Sequence, residues 1–424
     1  MLIHRVNRGE DINGIADMYG LSAGYIQRLN SCFQSLVVGQ ELIIAYPLTT
    51  YTVKSGDTPF SVARDFDMPV SELLRNNPSV YDGFKPGDEL VIAYNVQKRG
   101  KITLNGYCYT YIGLDLYRRI LPYLSYVTIF TYGFDKTGQL IPPSPSDEIY
   151  IAAAAEYGTA PLMHLSTLTA DGVFSSDAAA FLLDTKAVWP VIAENILNNI
   201  KEKGYYGVDM DFEYLPAYLR ETYAEFAGYL REKLNKNGYI LITALAPKTS
   251  AAQQGLLYEG HDYALLGQNS DLVMPMTYEW GYAYSEPMAV APIDSVKRVI
   301  EYAVSKMPPD KILLGTPFYG YDWQLPYIKG VTVGRSLSPD YALTLAREYG
   351  GVIEFDKKSA SPYMKYFNGD AEHIVWFESP ESLEKKLELI DIYTLRGAGI
   401  WSTDRPFAQG YMTINLMFEI QKFI

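Results

Sequence analysis

Residues 207–213 read Gly-Val-Asp-Met-Asp-Phe-Glu, in which three carboxylates, Asp209, Asp211 and Glu213, alternate with Val208, Met210 and Phe212. Successive side chains of a strand point to opposite faces, so the acids share one face and the apolar groups the other. Consecutive acids then stand roughly 6–7 Å apart, two rises of about 3.3 Å each. Like charges that close, carried into a fold, raise one another's pKa, and burial raises it further. A carboxyl held protonated in this way is suited to general-acid work. Glu213 ends the run just before Pro216, where a substrate can reach it, and Asp211 and Asp209 lie below. Neighbouring acids on one strand cannot flank a sugar ring from opposite faces. A retaining pair needs carboxyls about 5 Å apart across the scissile bond, and an inverting pair needs more. The pattern therefore argues for one acid/base with helpers and a nucleophile from elsewhere, for which a substrate's own 2-acetamido oxygen is a documented source. A Ca²⁺ site is the other chemistry that carboxylates suit, but EF-hand loop spacing is absent.

Such a strand needs a frame that buries both its faces. Apolar, β-rich runs recur near 102–109, 124–132, 160–167, 205–213, 239–247, 271–278, 311–319 and 397–402, with helical patterns between several of them, such as 215–236 and 290–306. Eight buried strands separated by helices predict an α/β fold, a parallel (β/α)₈ TIM barrel over 100–424, whose active site lies at the C-terminal strand ends. The interval before the last strand is too long for one helix. Residues 325–390 are expected to form an inserted small α+β lobe that walls one side of the cleft.

The first hundred residues repeat internally. One copy runs from Ile3-His-Arg-Val-Asn-Arg-Gly9 to Val38-Gly-Gln-Glu-Leu-Ile-Ile44, the other from Tyr51-Thr-Val-Lys-Ser-Gly56 to Pro86-Gly-Asp-Glu-Leu-Val-Ile92. Each reads strand, helix, helix, strand, with Asp57 and Thr58 as helix-capping chemistry. The two copies, over 1–47 and 50–95, resemble the LysM module. That resemblance implies binding to N-acetylglucosamine glycans such as peptidoglycan or chitin. It places the sugar groove between the Gly56–Asp57–Thr58 loop and the loop around Asn77.

The chain of 424 residues has 48% hydrophobic residues and a net charge of −13. A large core is affordable, and with no basic face evident to neutralise phosphates no nucleic-acid partner is expected. Cys32 and Cys108 lie far apart and form no CxxC, and the four histidines (4, 164, 261, 373) form no metal-ligand motif. Neither a metal nor a cofactor is expected. No segment has the length of a membrane helix, and Met1 to Gly9 lacks an apolar signal core, so no membrane partner and no cleavable export signal are expected. The chain is expected to act as a monomer.

The ladder itself resembles the catalytic strand of glycoside hydrolase family 18, Asp-x-x-Asp-x-Asp-x-Glu. Its last three acids match Asp209, Asp211 and Glu213, while Tyr206 stands at the first position. The resemblance implies that Glu213 protonates the glycosidic oxygen and later activates water, that Asp211 orients the acetamido group, and that Asp209 shares a proton with Asp211. Met274-Pro-Met-Thr-Tyr278-Glu279-Trp280 is similar to the family's sixth-strand motif, with Tyr278 hydrogen-bonding the acetamido oxygen and Glu279 in place of an Asp. Gly397-Ala-Gly-Ile-Trp401 is similar to the last strand, with Trp401 as the floor under the −1 sugar. Tyr321, in Gly320-Tyr-Asp-Trp323, and Trp280 are further expected cleft contacts, although Trp280 and Trp401 also fit plain core positions. LysM repeats before such a barrel, with Tyr278-Glu-Trp-Gly281 and His373-Ile-Val-Trp-Phe-Glu378, resemble the spore-germination glycosylases of endospore-forming bacteria (the YaaH and SleL type). These are N-acetylglucosaminidases of spore-cortex peptidoglycan. The resemblance implies a location in the spore coat, cortex or cell wall. A chitinase and a catalytically inactive glycan-binding lectin are the alternatives. Retention of Glu213 argues against the second.

Overall fold

The computed structural model describes every residue except 82 and 168–173. Each N-terminal repeat folds as anticipated. The first comprises Leu2–Arg5, helices Ile12–Tyr19 and Ala23–Leu29, and Glu41–Ile44, which pairs antiparallel with the first strand. The second comprises Pro47–Thr52, Pro59–Asp65, Val70–Asn76 and Glu89–Tyr94. Asp11, Ser22 and Thr58 cap their helices, Thr58 in a reciprocal capping box with Ser61. Small apolar sets close each module: Ile15, Ile26 and Leu42 in one, Val62, Leu73 and Leu90 in the other.

The barrel strands are Lys101–Tyr109 (β1), Tyr126–Phe134 (β2), Ala160–Ser166 (β3), Gly207–Asp211 (β4), Ile240–Leu245 (β5), Leu272–Pro275 (β6), Leu313–Pro317 (β7) and Gly397–Trp401 (β8). They pair in parallel from β6 back through β1 to β8 and β7, and a bridge from Val273 to Ile312 closes the ring. Alternation along β4 is as the sequence demands. Val208, Met210 and Phe212 point into the apolar layer beneath the outer helices, and Asp209 and Asp211 point into the barrel. The barrel interior is packed below the acids by residues such as Leu162, Ile242, Ala244 and Met274. Gly399 in β8 is required there, because a Cβ would lie 2.2 Å from the Met274 sulfur.

Between β7 and β8 lies a five-stranded antiparallel sheet, ordered Arg335–Leu337, Gly320–Gln324, Ala371–Trp376, Ser361–Asn368, Val352–Asp356, with helix Pro339–Tyr349 packed on it. The sheet begins at Gly320, ahead of the expected start near 325. The chain passes from β7 into the lobe with only Phe318 and Tyr319 between, and a Cβ on Gly320 would lie 2.2 Å from the Trp376 carbonyl oxygen. Pro317 and Gly320 bracket that join, but the two residues between them leave no room for a loop. Helix Pro380–Tyr393, expected in the lobe, packs instead on the barrel beside β7 and β8.

The modules are docked on the barrel through helix Ala408–Met417, in which every residue after Ala408 is buried. Its apolar side joins the main core through Tyr411, Ile414 and Met417, and Met412 and Leu416 pack on Leu29 and Ile43 of the first module. Its two amide side chains are buried with partners in the modules, and Thr413 Oγ1 donates to the Gln409 carbonyl of its own helix. Gln409 Nε2 donates to Asn30 Oδ1 and to the Glu41 carbonyl, both at 2.8 Å. Asn415 Nδ2 donates to Asn76 Oδ1 at 2.9 Å, and its Oδ1 accepts from Arg75 Nε at 3.2 Å. The buried Arg75 also donates to the Pro122 carbonyl at 2.9 Å. Asn415→Ala strips a partner from two buried polar groups, so a loss of ~2–4 kcal/mol is expected in denaturant unfolding. A loss under about 0.5 kcal/mol would mean that the interface is solvated and loose.

Candidate active site

Asp209 is fully buried at the foot of the ladder. Its Oδ2 accepts from Thr128 Oγ1 (2.8 Å, β2) and from Asn105 Nδ2 (3.1 Å, β1). Burial raises its pKa, against these neutral donors and the nearby His164. The Tyr107 hydroxyl lies beside it, near enough to interact but outside good hydrogen-bond geometry. Asp211, one step up, faces His164 of β3, whose Nε2 lies 3.6 Å from Asp211 Oδ2. Glu213 lies two residues past the end of β4 and is half-buried at the cleft. Burial, then the charge of Asp211, then that of Glu279, push its pKa well above the usual glutamate range. Tyr214 follows with φ +55°, a left-handed turn that costs a non-glycine residue about 1–3 kcal/mol. The Phe212 carbonyl, between the two upper acids, accepts from His261 Nε2 at 3.0 Å, and His261 Nδ1 accepts from Ala246 N at 3.3 Å. Burial lowers the His261 pKa to about 4, so this ring is a neutral brace for the backbone that carries Glu213.

Of the other expected residues, the fold brings Tyr278, Glu279, Tyr321 and Trp401 to the same strand ends. Tyr278 is buried among the acids. Burial, Asp211, Glu213 and Glu279 all raise its pKa. Gly315 gives its ring room, since a Cβ there would lie 3.1 Å from Tyr278 Cε1. Glu279, with φ +68°, turns its carboxylate onto Tyr319 and Tyr321, whose hydroxyls donate to Oε1 at 2.5 and 3.1 Å. The residue reaches the cleft surface, yet its carboxyl is crowded enough that burial raises its pKa against those two bonds. Trp401 is ringed by Tyr107 (5.8 Å), Tyr109 (5.9 Å) and Phe130 (5.4 Å), an aromatic floor directly above Asp209's neighbour Tyr107. Trp280 packs partly buried on the main core. Trp323 is wholly buried, and Asp322 bonds His373 and Tyr366 within the lobe, so of that segment only Tyr321 faces the site. Tyr206 lies at the opposite end of the barrel in an aromatic cluster with Tyr126 and Phe423, out of the ladder.

In the second module, Gly56 (φ +91°), Asp57 and Thr58 build one tight loop. Asp57 Oδ2 accepts from the Tyr51 hydroxyl and Lys54 N, each at 2.7 Å. Asn77 departs from its expected role. Its side chain is buried and committed to backbone, donating to the Leu73 and Val91 carbonyls (2.9 and 2.8 Å) and accepting from Val91 N (2.7 Å). Asn30 makes the same bonds in the first module. The repeated asparagine is a structural staple with no free polar group for a sugar. A cavity of about 180 Å³ lies between the modules, lined by Tyr25, Arg28, Asn76, Glu89 and Tyr94 among others. Among the described residues, no group of three His, Cys, Asp or Glu side chains is placed to hold a metal ion, and no helix is long and apolar enough to cross a membrane.

A family model described as "Glycosyl hydrolases family 18" matches residues 181–405, and one described as "LysM domain" matches 4–45 and 51–93. The chain belongs to glycosyl hydrolase family 18. Within that family it is 36% identical to a cortical fragment-lytic enzyme of Bacillus subtilis, over 72% of this chain and 70% of the relative. The crystal structure of the Bacillus megaterium QM B1551 spore cortex-lytic enzyme SleL superposes with a TM-score of 0.84 at 34% identity, covering 100% of this chain and 99% of that one. Bacillus cereus SleL superposes equally well, at 30% identity over 99% and 98% of the two chains. Repeats, barrel and lobe therefore form one shared architecture.

The environment of Glu213 has a measurable consequence. Its folded-state pKa lies above the unfolded value of about 4.3, so ionising it costs stability as pH rises. Glu213→Gln is expected to melt above the wild type at pH ~8, with the gap closing below pH ~4. Glu279→Gln, which removes one of the two like charges, should lower the Glu213 titration followed by carboxyl ¹³C NMR. A Glu213 that titrates as an ordinary exposed glutamate would refute this account.

Proposed function

We propose that this chain is a retaining N-acetyl-β-D-glucosaminidase that degrades spore-cortex peptidoglycan by substrate-assisted catalysis. The observation that carries the reading is the three-acid ladder on one face of β4, topped by a single accessible acid whose surroundings hold it protonated. Glu279 is the remaining carboxylate at the cleft. Two tyrosine hydroxyls already draw on its Oε1, which weakens it as a nucleophile.

In this mechanism Glu213 gives its proton to the glycosidic oxygen as the bond to C1 breaks. The 2-acetamido carbonyl oxygen of the same sugar attacks C1 from the other face and forms an oxazolinium ring. Asp211 accepts the acetamido N–H, and the Tyr278 hydroxyl donates to the acetamido oxygen, which fixes the group for attack. Trp401 carries the apolar face of the −1 sugar. Glu213, now a carboxylate, takes a proton from water. The resulting hydroxide equivalent opens the ring at C1, and the β configuration is retained.

Two further observations support the reading. The LysM modules suit glycans that contain the same N-acetylated sugar. The Bacillus subtilis relative and the two SleL structures described above bear cortex-lytic names. With the Glu213 pKa raised, activity is expected to fall on the alkaline side, where the proton that catalysis needs is lost. The site of action is the spore cortex or cell wall, and the working unit is a monomer.

Glu213→Gln is expected to lower muropeptide release from purified cortex fragments by ~10²–10⁴-fold while glycan pull-down persists. Turnover within about twofold of wild type would sink the acid assignment. Thiazoline inhibitors, which mimic the bicyclic intermediate, should compete with substrate, whereas failure to inhibit would point to a protein nucleophile such as Glu279. Chitin digested in parallel, with mass analysis of the reducing ends, separates the peptidoglycan reading from a chitinase.

A further inference from the structure

The ladder is flanked by a histidine that the mechanism above leaves unused. His164 lies on β3, in register with Asp209 and two residues before Ser166, which is in register with Asp211. Its ring is fully buried, stacked on Phe130 with centroids 4.2 Å apart and edge-on to Tyr107 at 6.1 Å. Nδ1 lies 2.7 Å from Thr131 Oγ1, which in turn lies 2.8 Å from Ser166 Oγ, so one side of the ring is pinned. The other side points at the catalytic strand. Nε2 lies 3.6 Å from Asp211 Oδ2 and has no hydrogen-bond partner, and Asp211 Oδ1 has none either.

An unpartnered buried imidazole nitrogen and an underpartnered buried carboxylate are each costly alone. Facing one another, they are reconciled by one proton between them. Packing gives no reason for an imidazole here, since a purely apolar ring would stack on Phe130 without the desolvation cost. The ionisable groups that surround the ring are Asp209 and Asp211 from β4 and the Tyr107 hydroxyl from β1. Thr131 and Ser166, from β2 and β3, are neutral. Asp209 already receives Asn105 and Thr128 from below. His164 is thus the donor available to Asp211 from the side.

We propose that His164 is a positioning residue of the hydrolytic reaction, which holds Asp211 through a shared proton in the orientation that takes the substrate's acetamido N–H. This role rests on the substrate-assisted reading.

Two variants separate the role from mere packing. His164→Asn carries an amide that can satisfy Thr131 in place of Nδ1 but stops short of Asp211. His164→Gln extends an amide N–H to where Nε2 stands. With cortex fragments as substrate, the Asn variant is expected to lose ~10–100-fold in kcat with KM within about threefold, and to bind a thiazoline inhibitor more weakly in the same proportion. The Gln variant should recover most of that loss in kcat and in inhibitor binding. An Asn variant within about twofold of wild-type kcat, with an unchanged pH profile, overturns the proposal. So does a Gln variant no better than Asn. Histidine-selective ¹⁵N NMR on the folded wild type and on Asp211→Asn gives an independent reading. The Nε2 resonance of His164 should move, and a static one overturns the contact. Wild-type and Glu213→Gln turnover are measured first. If those two do not differ, the glycosidase reading itself fails, and the NMR result still judges the His164 contact.

Discussion

Everything at the top of this barrel depends on seating three carboxylates on one face of one buried strand. Each is accommodated differently. Asp209, deepest, is held by neutral donors from the two strands across the barrel, Asn105 and Thr128, which solvate a carboxyl without adding charge. Asp211 has the His164 imidazole at its side. Glu213, highest and nearest solvent, has no such partner among the described contacts, and its burden is relieved by keeping its proton. Hydrogen bonding from neighbouring side chains thus falls from the bottom of the ladder to its top, and the acid that a substrate can touch is the one whose pKa is pushed well up.

That arrangement imposes costs on the surrounding backbone. Tyr214 and Glu279, adjacent to the acid and to its facing wall, both sit at positive φ without being glycine. Strain of that kind persists only where neighbours over-determine it. His261 bonds the Phe212 carbonyl from one side, and Tyr319 with Tyr321 holds the Glu279 carboxylate from the other. The empty side positions of Gly315 and Gly399 give Tyr278 and Met274 the space their neighbours would otherwise fill. Rigidity around the acids therefore comes from contacts contributed by five different strands or their following loops.

How much of this is legible in the sequence follows from the range of each interaction. The ladder and the repeats are local patterns, period two along one strand and a recurrence over some fifty residues, and both read directly. Eight apolar runs with helices between them suffice for the barrel. His164 and His261 are invisible as site residues, because a lone histidine in an apolar run carries no sign of the residue it will face across a strand pair. Asn77 misleads for the opposite reason. It lies next to a loop where glycans are expected, yet its repetition as Asn30 marks a backbone staple, which becomes clear once both copies are seen to make the same three bonds. The lobe's start at Gly320 is obscured because Pro317 and Gly320 are separated by two aromatic residues alone, so β7 and the first lobe strand read as one apolar run.

The C-terminal helix Ala408–Met417 has the least legible role. Its sequence, Ala-Gln-Gly-Tyr-Met-Thr-Ile-Asn-Leu-Met, has neither a polar face nor a continuous apolar one, and taken alone it suggests a weak helix. The pattern makes sense only when both sides are covered. Its apolar residues serve the barrel on one side and the first module on the other, and Gln409 and Asn415 are paid for by Asn30, Glu41, Asn76 and Arg75. The first module is further tied by Arg5, which bridges Glu41 and Glu381, and by Gly39, whose close approach to the Ile353 carbonyl admits no Cβ. A tether would leave such a helix exposed on one side and its amides unpaired. The buried polar seam therefore makes the glycan-binding repeats and the barrel a single body, so the direction from which a bound strand approaches the acids is set by packing and not by linker length.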